Sequence, residues 1–171
     1  MPLNIAIYVL ATLLANYTAD WFIPFGPLQT AVGTLVFGIT FTQRDRIHES
    51  GRQYAYMAIG VALVMNTIMS FLLGVPLRII TASFLAIALA EGTDTEIYQR
   101  LIQRSWPMKV LSSNAVSIPL DSILFTFIAF YGVLSQQELW QLTAGDTLVK
   151  FLIATAMVIW KPRRLKSAQE A

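Results

Sequence analysis

The stretch YAYMAIGVALVMNTIMSFLLG, residues 54–74, contains no Asp, Glu, Lys or Arg. As a helix rising 1.5 Å per residue it crosses the roughly 30 Å of hydrocarbon in a bilayer. Arg52 precedes it and Arg78 follows it, so charge returns as soon as the apolar run ends. The rest of the chain repeats this pattern. Of its 171 residues 56% are hydrophobic and 13% charged, whereas a water-facing domain carries roughly a quarter charged residues. Lipid is the implied solvent. Outward from the central run, further apolar segments cover residues 3–19, 28–43, 79–98, 110–131 and 144–160. The expected fold is an all-α integral membrane protein, one compact bundle of six transmembrane helices over residues 1–171, with a short basic tail at 161–171. The second segment is short and holds Gly33, Gly38 and the threonines 30, 34, 40 and 42. Such residues suit a helix that packs on other helices rather than on lipid.

The twelve Lys and Arg residues set the orientation. Arg44, Arg46 and Arg52 fall between spans two and three, and Arg100, Arg104 and Lys109 between spans four and five. Lys161, Arg163, Arg164 and Lys166 follow span six. Ten of the twelve therefore lie on one side, and the other side keeps only Arg78 and Lys150. The positive-inside rule makes both termini cytoplasmic, which requires an even number of crossings and agrees with six. No basic residue precedes the first span and no cleavage-like site follows it before Asp20 and Trp21, so it is expected to stay in place. The net charge of +2 points to no nucleic-acid partner, because anionic lipid accounts for the basic loops.

Polar residues inside spans are where function is sought. An acid or Lys at a helix centre is unfavourable by about 2.5 to 3.5 kcal/mol on insertion scales, so it needs a partner or a wet cavity. Glu91, Asp94 and Tyr98 share one face of span four at spacings of three and seven, while Glu96 points elsewhere. They are read as an inward stripe; the alternative is that the helix emerges into headgroups near Gly92. In span five Asn114, Ser117 and Asp121 share a face, with Phe125 a turn further. Pro119 lies two positions before Asp121 and suits a distorted helix beside a polar cavity. The plainer reading is a helix–helix hydrogen bond to Asn66 or a threonine. Lys150 is either the counter-ion of one of these acids or a residue that snorkels to the outer headgroups. Asn16 is a polar group at similar depth, and Phe37 and Phe125 are rings available to stack on a planar ligand.

Two alanine ladders, Ala11, Ala15, Ala19 and Ala82, Ala86, Ala90, permit close helix approach, either within the bundle or to another membrane subunit. Catalysis finds little support. There is no cysteine and a single histidine, His48, so neither a thiolate metal site nor a histidine pair exists, and no phosphate-binding glycine loop is present. No metal or cofactor is expected.

Three segments carry a family likeness: GTLVFGITFTQRDRIHESGR (33–52), SFLAIALAEGTDTEIYQRLIQRSW (83–106) and SSNAVSIPLDSILFTFIAFYG (112–132). Together they resemble the queuosine-precursor transporter family, which is vitamin-uptake-transporter-like and related to the substrate-binding subunits of energy-coupling-factor transporters. The resemblance implies a six-helix bundle in the plasma membrane, the inner membrane of a bacterium. It would take up 7-cyano-7-deazaguanine or a related deazaguanine for queuosine synthesis in transfer RNA. It also implies polar site positions at Glu91, Asp94, Asn114 and Asp121, with Arg44 and Asp45 in the loop after span two. The chain departs from the family pattern at Gly92 and Thr93, between the two acids, and at Pro119. Competing readings are a binding subunit for another vitamin or nucleobase-like compound that works only with a shared energising module, and a non-transporting membrane scaffold. A deazaguanine presents a ring N–H beside an exocyclic amine, a donor fork that Asp121 or Glu91 would accept, with Asn114 donating to its carbonyl edge.

Overall fold

A computed structural model describes the backbone of residues 2–169 and the side chains of residues 2–160. The basic side chains expected in the tail at 161–171 lie outside the described residues. The chain runs as α1 (Pro2–Tyr17), a hairpin of β1 (Phe22–Phe25) and β2 (Leu28–Ala31), a 3-10 turn (Val32–Val36), α2 (Phe37–Glu49), α3 (Arg52–Leu72) and α4 (Leu77–Ala86). A π-helical turn (Ile87–Glu91) joins α4 to α5 (Gly92–Arg100), and α6 (Trp106–Phe130) and α7 (Gln136–Gln169) complete it. The fold is all-α apart from the hairpin. Among the described residues α3, α6 and the Gln136–Trp160 portion of α7 are each long and apolar enough to cross a membrane.

The second segment is where the structure departs most from the sequence expectation. Residues 28–36 do not begin a helix; they form β2 and the 3-10 turn, and helix starts only at Phe37. The cause is local. Gly26 and Pro27 form a two-residue loop between Phe25 and Leu28, which pair directly across the ladder. Gly26 takes φ 61°, the positive value such tight hairpins require at their first loop position. At its other end the helix outlasts the expected boundary and reaches Glu49. Arg44 and Asp45 are therefore not loop residues but buried helical ones. Arg44 no longer counts among the headgroup-facing charges.

Small residues set the packing, as in bundles whose contacts are not driven by exclusion from water. Both alanine ladders are buried inside the bundle. At one end Ala19, Ile79, Ala82, Ala129, Phe130, Leu139 and Leu142 form a cluster, with Phe22 of the hairpin against it. At the other end Tyr8 and Ile47 pack on Ala55, Ala58 and Ala62 of α3. Close approach reaches its limit at the hairpin. A Cβ on Gly145 would stand 1.9 Å from the Gln29 carbonyl oxygen, and one on Gly33 would stand 2.3 Å from the Ala15 carbonyl oxygen. Backbone cannot yield as a flexible side chain can. Gly145→Ala is expected to cost about 1–3 kcal/mol or more by forcing the hairpin off α7, visible as a lowered unfolding midpoint of the purified protein in detergent.

Candidate functional site

The hairpin roof and the helices beneath it enclose a cavity of about 590 Å³, including its open mouth. Its wall comes from six parts of the chain: Asn16 on α1, Thr34 of the 3-10 turn, Phe37 and Thr40 on α2, Ser83 on α4 with Glu91 of the π turn, Asp121 and Phe125 on α6, and Asp146 and Lys150 on α7. No α3 residue is among those lining it.

The π turn matters to this wall. A π turn inserts one residue into the helical ladder and is frequent at functional sites. Here it ends on Glu91 and joins α4, which carries Ser83 into the cavity, to α5, which carries Asp94 behind it. Glu91 and Asp94 meet the same cation. Arg44 donates from Nη1 to Glu91 Oε1 at 3.3 Å and from Nη2 to Asn114 Oδ1 at 2.6 Å, and its Nε lies 3.2 Å from Asp94 Oδ2. The guanidinium also stands 4.7 Å from the centre of the Phe41 ring. The Ser117 hydroxyl donates to Asp94 Oδ1 at 2.8 Å. This fork fixes Glu91 from behind and leaves its Oε2, also buried, without a hydrogen-bond partner among the described residues.

A second ion pair also lines the cavity. Lys150 donates to Asp121 Oδ2 at 2.6 Å and to the Ser122 hydroxyl at 3.2 Å, and its ammonium stands 4.3 Å from the Phe37 ring centre. Lys150 is buried, so of its two sequence readings the counter-ion is the one observed. Pro119 cannot donate to the carbonyl four residues earlier, which loosens α6 one turn before this pair.

Six of the eight residues singled out from sequence therefore line the cavity: Asn16, Phe37, Glu91, Asp121, Phe125 and Lys150. Asp94 and Asn114 lie behind the wall and hold Arg44 instead. Asn66, a suggested partner for Asn114, instead donates to Thr12 at 2.7 Å. Glu96 leaves the stripe, as its spacing indicated, and pairs with Arg52 and Tyr56 at the surface. Asp146, near the start of the last expected span, is buried. Its Oδ1 accepts from Thr30 (2.7 Å), the Ala31 amide (2.9 Å) and Thr34 (2.7 Å), latching the hairpin roof to α7. Only the threonine-rich segment hinted at this, and three such donors pre-satisfy a buried carboxylate. Asn16 accepts from Ser83 at 2.8 Å, which orients its amide in the wall.

A cavity lined by acids, a lysine, aromatic rings and small residues is the form of a small-molecule site. Among the described residues no group of three or more His, Cys, Asp or Glu is placed to hold a metal ion. No curated protein and no solved structure matches the chain. A family model described as "Putative vitamin uptake transporter" matches residues 69–161. That match covers more than half of the chain, including the π turn, α6 and the Asp121–Lys150 pair, and the chain belongs to the vitamin uptake transporter family.

Proposed function

We propose that this transporter takes up a queuosine precursor such as 7-cyano-7-deazaguanine, working as six membrane-crossing segments with both termini in the cytoplasm. The segments are α1, α2 with its preceding turn, α3, the α4–π–α5 rod, α6 and α7. One observation carries the ligand reading: Glu91 and Asp121 present carboxylates to one cavity that also holds the Phe37 and Phe125 rings. A deazaguanine offers paired N–H donors and two π-faces to such a wall. Glu91 keeps one oxygen open and Asp121 gives Oδ2 to Lys150, so the donor fork is shared between the two acids rather than taken bidentately by either. Stacking on an aromatic ring adds about 1–3 kcal/mol per base-like ring. Because Asn114 faces Arg44, the donor to the ligand's carbonyl edge is Asn16 or Lys150, both in the wall.

Uptake of labelled 7-cyano-7-deazaguanine into liposomes holding only this protein tests the reading. Accumulation that disappears in Asp121→Ala and in Glu91→Ala is the expected result, and it would also exclude any need for a separate energising module. Uptake that persists in both variants would place the site elsewhere.

A further inference from the structure

The single histidine of the chain, His48, is buried inside the bundle and faces an acid. Its Nε2 lies 3.0 Å from Thr95 Oγ1, and the Thr95 hydroxyl donates to the Glu91 carbonyl oxygen at 2.8 Å, so Nε2 carries a proton and donates. Nδ1 is then the nitrogen that can gain or lose one. It makes no hydrogen bond among the described residues and stands 3.7 Å from Asp94 Oδ2, the oxygen that Arg44 Nε approaches at 3.2 Å. The charged and titratable groups around the ring come from nearly every neighbouring element. Arg44 and Asp45 lie on its own helix, Tyr8 on α1, Glu91 on the π turn, Asp94 and Tyr98 on α5 and Lys109 on α6. From α3 only Ala55, Ala58 and Ile59 border the space beside it. The Tyr98 ring touches two of these neighbours: its centre is 4.7 Å from that of the imidazole and 4.9 Å from Lys109 Nζ.

That space is a void of about 200 Å³, which His48 borders with Tyr8, Arg44 and Glu91. Glu91 borders the ligand cavity as well. The Tyr8 hydroxyl, like His48 Nδ1, is buried without a hydrogen bond among the described residues, and a space with several polar neighbours suits a bridging water. On its other side His48 is followed by the exposed Glu49, at the end of α2 that the proposed topology turns to the cytoplasm. We infer that His48 Nδ1 is a proton-binding site, loaded through the cavity and emptied toward the cytoplasm, and that the transporter carries one proton inward with each ligand molecule. The inference rests on the reading of the cavity as the transport site and supplies its driving force. The proton passes Glu91 before the ligand's N–H fork closes over that acid. On Nδ1 it makes the ring a donor to Asp94 Oδ2, in competition with Arg44 Nε, and the guanidinium is freer to hold Glu91, which it now contacts at 3.3 Å. Because Glu91 receives the ligand, proton and ligand affinities are linked, each raising the other by the same factor.

Liposomes holding only this protein, with the membrane voltage clamped to zero, read the coupling as the steady-state ratio of labelled 7-cyano-7-deazaguanine inside to outside. An inward proton gradient of one pH unit should raise that ratio about tenfold, the equilibrium value for one proton per ligand. His48→Gln keeps a donor for Thr95 but has no second nitrogen to load. It should still exchange labelled for unlabelled ligand, with a ratio near one at any gradient. A ratio near one in the unaltered protein, with exchange intact, would overturn the proton and leave the transport reading standing. A gradient response that persists in His48→Gln would overturn His48 as the site. Isotope-labelled histidine followed by NMR needs no ligand, because the chain has one such ring. Its Nδ1 is expected to take up a proton within about pH 5 to 8, the range in which histidines change charge. If 7-cyano-7-deazaguanine is not exchanged at all, the transport reading falls and the ring decides alone: one that titrates keeps the proton site, and one that stays neutral throughout overturns it.

Discussion

Arg44→Met should destabilise the protein by about 3–5 kcal/mol, the largest loss expected from a single polar change. The substitution keeps a long apolar stem in place but leaves Glu91 and Asp94 buried with no cation between them, and breaking a buried ion pair from one side costs about that much. Arg44→Lys should rescue little. Three different nitrogens of Arg44 face Glu91, Asp94 and Asn114, and a lysine ammonium is a point charge that cannot reach all three from one position. The triple change Arg44→Met, Glu91→Gln, Asp94→Asn should recover most of the stability, since no uncompensated charge remains, while uptake stays absent because Glu91 no longer receives the ligand. Chemical or thermal unfolding in detergent, paired with liposome uptake, separates the two effects.

Lys150→Met should cost about 2–5 kcal/mol by stranding Asp121, and here the partner variant is informative. Lys150→Met combined with Asp121→Asn removes both charges, so the double variant should be more stable than Lys150→Met alone. Neither should transport. If the double variant were as unstable as the sum of the singles, the 2.6 Å contact between Lys150 and Asp121 would not be an energetic pair. A retained uptake would mean that neither residue faces the ligand.

Much of this was open to inspection in the sequence, and what was hidden had a physical reason. Glu91, Asp121 and Lys150 stand out because charge in an apolar run demands explanation, and the spacing of Glu91, Asp94 and Tyr98 does place them on one inward side. Arg44 was harder to read. In the polar run from Gln43 to Ser50, charges satisfied inside a bundle look the same as charges facing headgroups, and only the acids on α5 and the π turn distinguish them. The hairpin was masked by apolar residues that suit a membrane helix equally well. Its signal was Gly26–Pro27, a loop pair with paired strands of four residues on each side. Asp146 escaped notice because its partners are 112 to 116 residues distant in sequence. The π turn has no composition of its own.

The role of Asp94 and Asn114 follows from the same limit. Helical spacing shows which face a side chain is on, but not how far a neighbouring cation reaches. Both contact Arg44 and neither lines the cavity, so on the proposed reading they position Glu91 through that guanidinium.

The most direct test of the central claim is equilibrium binding of 7-cyano-7-deazaguanine to the purified protein, followed as thermal stabilisation across a titration. The cavity account predicts a saturable shift, worth about 2.7 kcal/mol at 100 times the dissociation constant, and its loss in Asp121→Ala. A shift of the same size in Asp121→Ala, or none in the unaltered protein, would contradict it.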